Sequence, residues 1–341
     1  MQTPFEKALE HWYQTHARVL PWRENDEPYR VYVSEILLQQ TRVETVKEAY
    51  VSFLSRFPDI EALASADLEE VLKSWEGLGY YSRAKNLHRS AKIIAEEHGG
   101  IIPNGKQALL ALPGIGEYVA SAILSIAYHQ KEIAVDGNLL RIYARLAASP
   151  IDPSKQASKQ LCRAYFLERL EESDPSVFNQ ALMDIGELVC LPSAKPLCSC
   201  CPFASFCLAH AQGKETDYPV PAKKTEKKEI RLTVFLVSYQ GRLWIRKREE
   251  PGLLSQMYEL PNVEKDLSPC EARDYLLQQG LEIRDFSYLE EKEHVFSHRI
   301  WKMKVYEAEL SKIGPGLFAN EKDRRDSYPL PTAFSKLLKK D

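Results

Sequence analysis

The seven residues LPGIGEY, from Leu112 to Tyr118, place a proline and two glycines directly before the apolar run VASAILSIAYH. Glycine permits positive φ angles and leaves room for a ligand to approach the backbone. A turn that leads into a helix also presents free N–H groups and the positive end of the helix dipole, which favour an anion such as phosphate. The stretch predicts an anion site, although an ordinary turn between two helices explains it equally well, because a lone Gly-x-Gly is weak evidence.

The composition of the chain is that of an ordinary globular protein. Its 341 residues are 44% hydrophobic and 27% charged, and they suffice for two or three domains. The net charge of -3 gives no general argument for nucleic-acid binding, which would need a local basic patch. The first residues carry charges throughout and no later run is long enough to span a bilayer, so we expect a cytoplasmic protein without a membrane partner.

Helical periodicity dominates the chain up to about residue 210. Residues 28–57, for example, have apolar positions at three- and four-residue spacing and no internal glycine. The polar, lysine-rich segment 211–229 then has the composition of a linker. We therefore predict a helical domain over residues 1–210, followed by a linker at 211–229.

Strand patterns begin after this linker. Residues 232–248 predict two strands joined around Gln240 and Gly241, and residues 298–310 predict another. Residues 269–280 predict a short helix between them. The sequence from 230 to 341 therefore indicates a smaller α+β domain.

The seven cysteines are unevenly distributed. Five of them fall within CLPSAKPLCSCCPFASFC, residues 190–207, while Cys162 and Cys270 stand apart. Such clustering without an export signal is typical of metal or cluster ligation rather than disulfides. Four thiolates can hold zinc or an iron–sulfur cluster, and the single CxxC pair with wide outer gaps favours iron and sulfur. The four candidate ligands are Cys190, Cys198, Cys201 and Cys207.

These motifs together resemble those of the helix-hairpin-helix DNA glycosylases. That superfamily has a Leu-Pro-Gly-x-Gly hairpin, here at 112–118, and a downstream Val-Asp, here ending in Asp136. One branch also has a Cys-x6-Cys-x2-Cys-x5-Cys loop that holds a [4Fe-4S] cluster. The loop at 190–207 has one extra residue in its first gap, so Cys200 competes with Cys201 for the third position. The two later gaps fit the family only with Cys201.

Further segments resemble the adenine DNA glycosylases, the MutY type, within that superfamily. VSEILLQQTRVETV, AVDGNLLR, LPWR, GLGYYSRAKNLH and the C-terminal FSH all match, and the resemblance runs along almost the whole chain. Endonuclease III relatives have a lysine where this chain has Tyr118. The amine of that lysine attacks the sugar, and the enzyme then nicks the strand. Tyrosine cannot form a Schiff base. The resemblance therefore implies a monofunctional glycosylase that removes adenine opposite 8-oxoguanine or guanine.

Breaking an N-glycosidic bond requires a proton for the departing base and negative charge near the sugar cation. Glu35 lies in an apolar helical segment, where desolvation would raise its pKa and make it the candidate acid for adenine N7. Asp136 is the candidate for stabilising the sugar cation, with or without a covalent intermediate. Without the resemblance, Glu35 reads as a helix-surface carboxylate and Asp136 as a helix N-cap.

The resemblance also assigns residues that contact DNA. Gln39 and Tyr80 are candidates for entering the base stack when adenine leaves it, Gln39 because it follows Glu35 by four residues on a helix face. In this family the backbone amides of the hairpin bind a phosphate of the DNA backbone. The remaining DNA or substrate contacts implied are Arg23, Leu112, Gly114, Gly116, Tyr118 and Asn138.

The segment LWIRKREEPGLLSQMYELP resembles the start of a Nudix domain. We find no acidic magnesium box, so we expect this domain to bind without hydrolysing. In the adenine glycosylases it recognises 8-oxoguanine, which differs from guanine at C8 and N7. Ser297 has a hydroxyl that can donate and accept at that edge, and Phe296 and His298 flank it. The plainer interpretation of these residues is the end of a strand.

The sequence thus predicts a mainly α helix-hairpin-helix glycosylase domain with an iron–sulfur loop, joined to an α+β Nudix-like domain. We expect a monomer that acts on double-stranded DNA at the nucleoid of a bacterial-type cell. One alternative is an endonuclease III-like glycosylase and lyase for oxidised pyrimidines. The other is a lesion-binding protein without catalysis.

Overall fold

Helices build the chain up to residue 211, and the strands follow from residue 228 onward. The structure, a computed structural model, describes residues 2–192, 195–220, 226–249 and 252–338. Residues 221–225 of the predicted linker lie outside this range. Contacts divide the chain into two compact units, the first formed by Met1–Ser65 and Asn86–Lys223, the second by Ala66–Lys85 and Lys224–Asp341.

The helices and strands have the following bounds. The helices are α1 Pro4–His16, α2 Pro28–Leu38, α3 Val43–Arg56, α4 Ile60–Ser65, α5 Leu68–Ser74, α6 Ser82–Glu97, α7 Lys106–Ala111, α8 Glu117–Ile126, α9 Gly137–Leu146, α10 Gln156–Leu167, α11 Pro175–Leu188, α12 Leu208–Ala211, α13 Pro269–Gln278, α14 Glu321–Asp326 and α15 Thr332–Ser335. The strands are β1 Lys228–Tyr239, β2 Arg242–Lys247, β3 Tyr258–Glu259, β4 Asn262–Val263, β5 Ile283–Val295, β6 Arg299–Leu310 and β7 Leu317–Ala319. Among the described helices, none is long and apolar enough to cross a bilayer.

Helix α11 is at the centre of the first unit, where it packs against α1, α8 and α9. Aromatic side chains fill the space between these helices. Phe5 of α1 stacks on Phe203 with ring centroids 4.3 Å apart, and Phe166 and Phe178 meet it from α10 and α11. This core places the N-terminus of α9 beside the C-terminal half of α11, where the candidate site lies.

The predicted helical segment 28–57 forms two helices instead of one. Helix α2 ends at Leu38, Gln39 has the extended ψ angle of 114°, and Gln40 has a left-handed φ of 59°. No glycine or proline marks the break, and the hydrophobic periodicity continues across it, so nothing in the sequence indicates that the helix ends here. The argument that Gln39 shares a helix face with Glu35 is therefore wrong, because Gln39 lies just past the helix end.

The second unit contains a mixed sheet with strand order β3-β2-β1-β6-β5, in which β4 also pairs with β1 and β7 with β2. Strands β1 and β2 are antiparallel and are joined through Gln240 and Gly241, both with left-handed φ angles, as the sequence predicts. Strand β6 runs parallel to β1 and antiparallel to β5. The sequence pattern did not show β5.

Both faces of this sheet are covered. Alternation along β1 sends Leu232 and Val234 to one face, where they join a core with Phe334 of α15. Phe235 and Val237 point to the other face and join a core with Leu276 of α13. The predicted α+β domain is thus confirmed as a sheet between helices.

Candidate active site

A cavity of about 270 Å³ opens within the first unit. For comparison, an apolar cavity of about 150 Å³ already binds benzene. The loop before α2, α2 itself, α8, the start of α9 and α11 all contribute to its wall. Its polar lining includes Arg18, Arg23, Glu35, Tyr118, Asp136, Asn138 and Gln180.

Glu35 is almost fully buried, with 4% of its surface exposed. Burial raises the pKa of Glu35 to about 7, the charge of Asp136 adds to the rise, and the Tyr118 hydroxyl and Arg23 oppose it. The Oε2 atom has no hydrogen-bond partner in the described parts of the chain. A carboxyl group of this kind holds a proton near neutral pH and can donate it to a molecule in the cavity.

Tyr118 is the second residue of α8, two positions after Gly116, and its hydroxyl donates a hydrogen bond to Glu35. Burial raises the pKa of Tyr118 well above its usual value, and the nearby Glu35 and Asp136 raise it further. The phenol therefore stays protonated at neutral pH. It can orient Glu35, but it provides no amine to the cavity.

Asp136 is both the N-cap of α9 and part of the cavity wall. Its Oδ1 accepts from the Leu139 amide at 2.8 Å and its Oδ2 from Asn138 Nδ2 at 3.0 Å. Burial raises the pKa of Asp136, while the Leu139 amide, Arg141 and Asn138 act against that rise. The N-cap predicted from the sequence is confirmed, and its carboxylate also faces the candidate site.

Asn138 is held on both sides. Its Oδ1 accepts from Arg141 Nη2 at 2.7 Å, and the same nitrogen donates to the Gly186 carbonyl at 2.7 Å. Gly186 lies inside α11, and a Cβ atom there would come within 2.6 Å of Asn138 Cβ. The glycine thus lets α11 approach the side chain that hydrogen bonds to Asp136.

A buried ion cluster supports another wall of the cavity. Asp184 is fully buried and accepts from both terminal nitrogens of Arg23, at 2.7 and 2.9 Å, and from Arg18 Nε at 2.6 Å. One carboxylate faces two guanidinium groups, so this wall carries net positive charge. Sequence reasoning found Arg23 but missed Arg18 and Asp184, although an aspartate amid the apolar residues of α11 was an available signal.

The hairpin between α7 and α8 uses its two glycines differently. Gly114 has a φ of 79°, and a Cβ there would lie 2.7 Å from Asn86 Cβ. Gly116 is the N-cap of α8, and a Cβ there would meet nothing within 4 Å. The space beside Gly116 and the first amides of α8 remains open to a ligand. Leu112 is only 3% exposed, so any contact it makes with DNA would come from its backbone.

Four cysteines of the loop 190–207 line one cavity: Cys190, Cys198, Cys201 and Cys207. Cys200 is exposed and its thiol donates to the Leu197 carbonyl at 3.3 Å, while Cys162 is buried in the helical core. Residues 193 and 194 in the first gap lie outside the described range.

Burial raises the pKa of the Cys201 thiol to about 12, and the other three thiols contribute. Arg145 donates to Cys190 Sγ at 3.2 Å. Burial also raises the pKa of the Cys198 and Cys207 thiols. Four neighbouring sulfurs fit a cationic metal group, which would stabilise all four as thiolates.

A second group of possible metal ligands adjoins this loop. One ligand atom from each of Cys198, His210 and Glu215 lies within 4.8 Å of the others, and His210 Nδ1 is 2.6 Å from Glu215 Oε1. Neither His210 nor Glu215 was predicted from the sequence. Since Cys198 belongs to both groups, a zinc ion at the smaller group competes with a cluster held by four thiolates.

The remaining predicted residues lie in the second unit. Tyr80 has a left-handed φ of 48° and is 43% exposed. Phe296, Ser297 and His298 connect β5 to β6, and the Phe296 amide donates to the Arg299 carbonyl at 2.8 Å. Phe296 packs edge-on against Trp301, whereas Ser297 and His298 are exposed. The three residues therefore form a hairpin turn at the end of the sheet.

Comparison with known proteins agrees with this architecture. Residues 33–166 match the HhH-GPD superfamily of base excision DNA repair proteins, and residues 233–340 match the NUDIX domain. The structure also resembles that of a thermostable thymine-DNA glycosylase, with a TM-score of 0.56 and 27% sequence identity over 61% of this chain and 95% of the other. The chain is thus a base excision repair protein of the helix-hairpin-helix class.

Its relatives define the family more narrowly. The adenine DNA glycosylase of Buchnera aphidicola subsp. Baizongia pistaciae is 31% identical over 98% of this chain and 96% of its own length. The human adenine DNA glycosylase is 30% identical over 99% of this chain and 74% of its own length. The chain belongs to the adenine DNA glycosylase family.

Proposed function

We propose that this protein flips adenine out of duplex DNA and removes it by hydrolysis when adenine is paired with 8-oxoguanine or guanine. One observation carries the proposal: the two carboxylates predicted for the reaction, Glu35 and Asp136, line the same cavity, and the charge of Asp136 adds to the rise in the pKa of Glu35. The unpaired Oε2 of Glu35 supports its role as acid.

In this mechanism Glu35 donates its proton to N7 of adenine as the glycosidic bond lengthens. General acid catalysis contributes about 10² to 10⁴ in rate, or roughly 3 to 5 kcal/mol. Asp136, in its ionised form, stabilises the positive charge that develops on the sugar, and the Leu139 amide and Asn138, which donate to its two oxygens, act against the rise in its pKa that burial causes. Glu35, now ionised, can then activate the water that completes hydrolysis.

Other residues bring the substrate to this pair. Gln39 and Tyr80 occupy the space in the stack from which adenine leaves, which offsets the cost of flipping. Arg23, fixed by Asp184, and Asn138 contact the substrate in the cavity. The hairpin amides near Gly114 and Gly116 bind a phosphate of the DNA backbone.

We propose that the enzyme is monofunctional. A lyase step requires an amine that attacks the sugar, and Tyr118, two positions after Gly116, has none. Among the described residues that line the cavity, none is a lysine. The endonuclease III-like alternative is less favoured for this reason.

Recognition of the opposite base is assigned to the hairpin turn in the second unit. Ser297 is exposed at its tip and can donate to or accept from the altered edge of 8-oxoguanine, while Phe296 and His298 flank it. We assign residues 1–210 to catalysis, 211–229 to a linker and 230–341 to lesion recognition. The protein acts as a monomer on chromosomal DNA, at the nucleoid of a bacterial-type cell.

We also propose that Cys190, Cys198, Cys201 and Cys207 hold a [4Fe-4S] cluster. The supporting observation is that these four sulfurs line one cavity and Cys200 does not. When bound, the cluster would cross-link the loop 190–207. Purified protein that contains zinc and no iron would instead favour the group formed with His210 and Glu215.

The proposed activity is tested with labelled duplexes under single-turnover conditions. Each duplex has adenine opposite 8-oxoguanine, adenine opposite guanine, or an oxidised pyrimidine opposite guanine, and each reaction is split between direct analysis and alkali treatment. We expect strand breaks from both adenine duplexes only after alkali. Breaks without alkali indicate a lyase, and binding without any breaks indicates a lesion-binding protein.

A further inference from the structure

The turn that carries Tyr80 is built as a rigid structure. Gly77 and Gly79 have left-handed φ angles of 88° and 68°. Trp75 Nε1 and Arg83 Nη2 both donate to the Gly79 carbonyl at 3.1 Å. The Arg83 guanidinium lies between two rings, 5.2 Å from the centroid of Trp75 and 5.6 Å from that of Tyr80. These contacts hold the backbone of the turn next to the exposed Tyr80.

The turn that carries Tyr80 belongs to the unit that contains the Nudix-like sheet. Residues 66–85 lie far from that sheet in sequence but group with Lys224–Asp341 by contact. Polar contacts between described residues join the two parts, among them Lys247 with Glu69, Lys73 Nζ with the Arg324 carbonyl, the Leu330 amide with Glu76 Oε1, and Lys85 Nζ with the Ser255 carbonyl.

These contacts lie on both sides of the turn. Glu69, Lys73 and Glu76 precede Gly77, and Lys85 follows Arg83. Lys73 and Glu76 also pair with each other at 2.6 Å, so both members of this ion pair contact the C-terminal segment as well. Three of the partners in the C-terminal segment are main-chain groups, which a change of side chain there would not remove.

We infer that the Nudix-like part of the chain positions Tyr80, with Glu76 and Lys85 as positioning residues. This inference rests on the proposed function, in which Tyr80 enters the base stack and the turn 296–298 reads the opposite base. The side chain that fills the stack and the side chains that read the lesion then belong to one structural body. Recognition of 8-oxoguanine by that body fixes where Tyr80 is presented.

The structural half is tested by hydrogen exchange on the full chain without DNA. We compare the variant Glu76→Gln with Lys85→Met against a matched control, Glu264→Gln with Lys322→Met, whose side chains are exposed in the same unit. Loss of one net hydrogen bond should speed amide exchange in residues 75–83 by about fivefold, and the control should leave it unchanged. Unchanged exchange in the test variant would overturn the inference.

Charge reversal at the Glu69–Lys247 pair gives a second test of the contacts between residues 66–85 and the C-terminal segment. Glu69→Lys alone and Lys247→Glu alone should each speed exchange in the turn, and the combined reversal should restore it. Because this pair is partly exposed, we expect only about a twofold effect. Failure of the combined reversal to restore protection would contradict a role for this pair.

The functional half uses 2-aminopurine next to adenine opposite 8-oxoguanine, whose fluorescence rises when stacking is lost. We expect Glu76→Gln with Lys85→Met to lower the rise about fivefold, as Tyr80→Ala does, and to add nothing in a Tyr80→Ala background. Additive losses would show that these residues act elsewhere and would sink the positioning role. If the wild-type protein excises no adenine, the proposed function fails, while exchange still decides whether the turn is held.

Discussion

The cavity around Glu35 and the hairpin turn 296–298 differ in how far their polar groups are exposed to solvent. Glu35 is 4% exposed, and its pKa is raised because water is excluded. Ser297 and His298 are exposed, while Phe296 packs on Trp301. Proton transfer needs a pKa near the working pH, which burial provides, whereas a reader must offer its hydrogen bonds before the lesion arrives.

The difference also separates two kinds of sensitivity. The positions of the groups in the cavity depend on several neighbours. Asp136, for example, accepts hydrogen bonds from both the Leu139 amide and Asn138. A change there should alter rates by orders of magnitude. The exposed turn makes few internal contacts through Ser297 and His298, so a change there should alter binding ratios by small factors.

The largest effect is expected from Cys201→Ser, which tests whether the two regions depend on the cysteine loop equally. Loss of a metal group is among the changes that destabilise a protein by more than about 4 kcal/mol. We expect loss of iron and sulfide and faster hydrogen exchange in the helices of the first unit, with β1 and β6 still protected. Cys200→Ser and Cys270→Ser are the controls and should keep their iron. Full iron content in Cys201→Ser would remove that residue from the ligand set.

Asp136→Asn is expected to come next and acts on the cavity alone. Asparagine is as good an N-cap as aspartate, so α9 should keep its start. Because the lost charge acts mainly in the transition state, the single-turnover rate should fall by roughly 10³-fold with little change in affinity for the duplex. A folded variant that excises adenine at a near-normal rate would exclude Asp136 from the mechanism.

Glu35→Gln should lower the rate by about 10²-fold and remove its pH dependence. The wild-type rate should decline as pH rises through about 7, because Glu35 then loses the proton that it must donate. Stability should change in the opposite sense to activity. The pKa of Glu35 is higher in the folded state than its ordinary value of 4.5, so ionisation costs stability progressively as pH rises from 4.5 to 7.

Above pH 7 this cost reaches about 3 kcal/mol in the wild type and is absent from Glu35→Gln. The variant should therefore be more stable than the wild type at neutral pH and similar at pH 4, as measured by urea unfolding at both values. Glu48→Gln, an exposed carboxylate on α3, is the control and should change neither profile. Equal stability of variant and wild type at pH 8 would contradict the raised pKa.

The smallest effect is expected at the turn 296–298. Replacing Phe296, Ser297 and His298 by alanine should lower affinity for adenine opposite 8-oxoguanine about fivefold to tenfold more than for adenine opposite guanine. Ser297→Ala alone should give only a fewfold change, and Ser287→Ala, also exposed, should give none. Both duplexes are measured at one salt concentration because phosphate contacts shift both affinities. An unchanged ratio in the triple variant argues against recognition by this turn.

The sequence predicted those parts of the structure that local chemistry determines. Alternating residues predicted β6, and Gln240-Gly241 predicted the turn between β1 and β2, where Gly241 readily adopts its left-handed φ of 73°. The glycine turn at 112–118 and the N-cap at Asp136 also follow from neighbouring residues. Strand β5 escaped notice because most of its side chains are exposed, which leaves no hydrophobic alternation to detect.

Features that depend on distant residues were not predictable in this way. Arg18 and Arg23 are separated from Asp184 by more than 150 residues along the chain, and only folding brings the three charges together. The end of α2 at Leu38 has no breaking residue in the sequence, so nothing local marked it. The grouping of residues 66–85 with the C-terminal sheet likewise arises from tertiary contacts.

Gly186 has a consequence for attempts to engineer this protein. A glycine inside a helix costs about 1 kcal/mol relative to alanine, so any programme that optimises helix propensity would choose Gly186→Ala early. The added methyl group would meet Asn138 Cβ at 2.6 Å and displace the amide that holds Asp136. Gly186→Ala should therefore cost both stability and activity, and design that relies on helix propensity should keep Gly186 fixed.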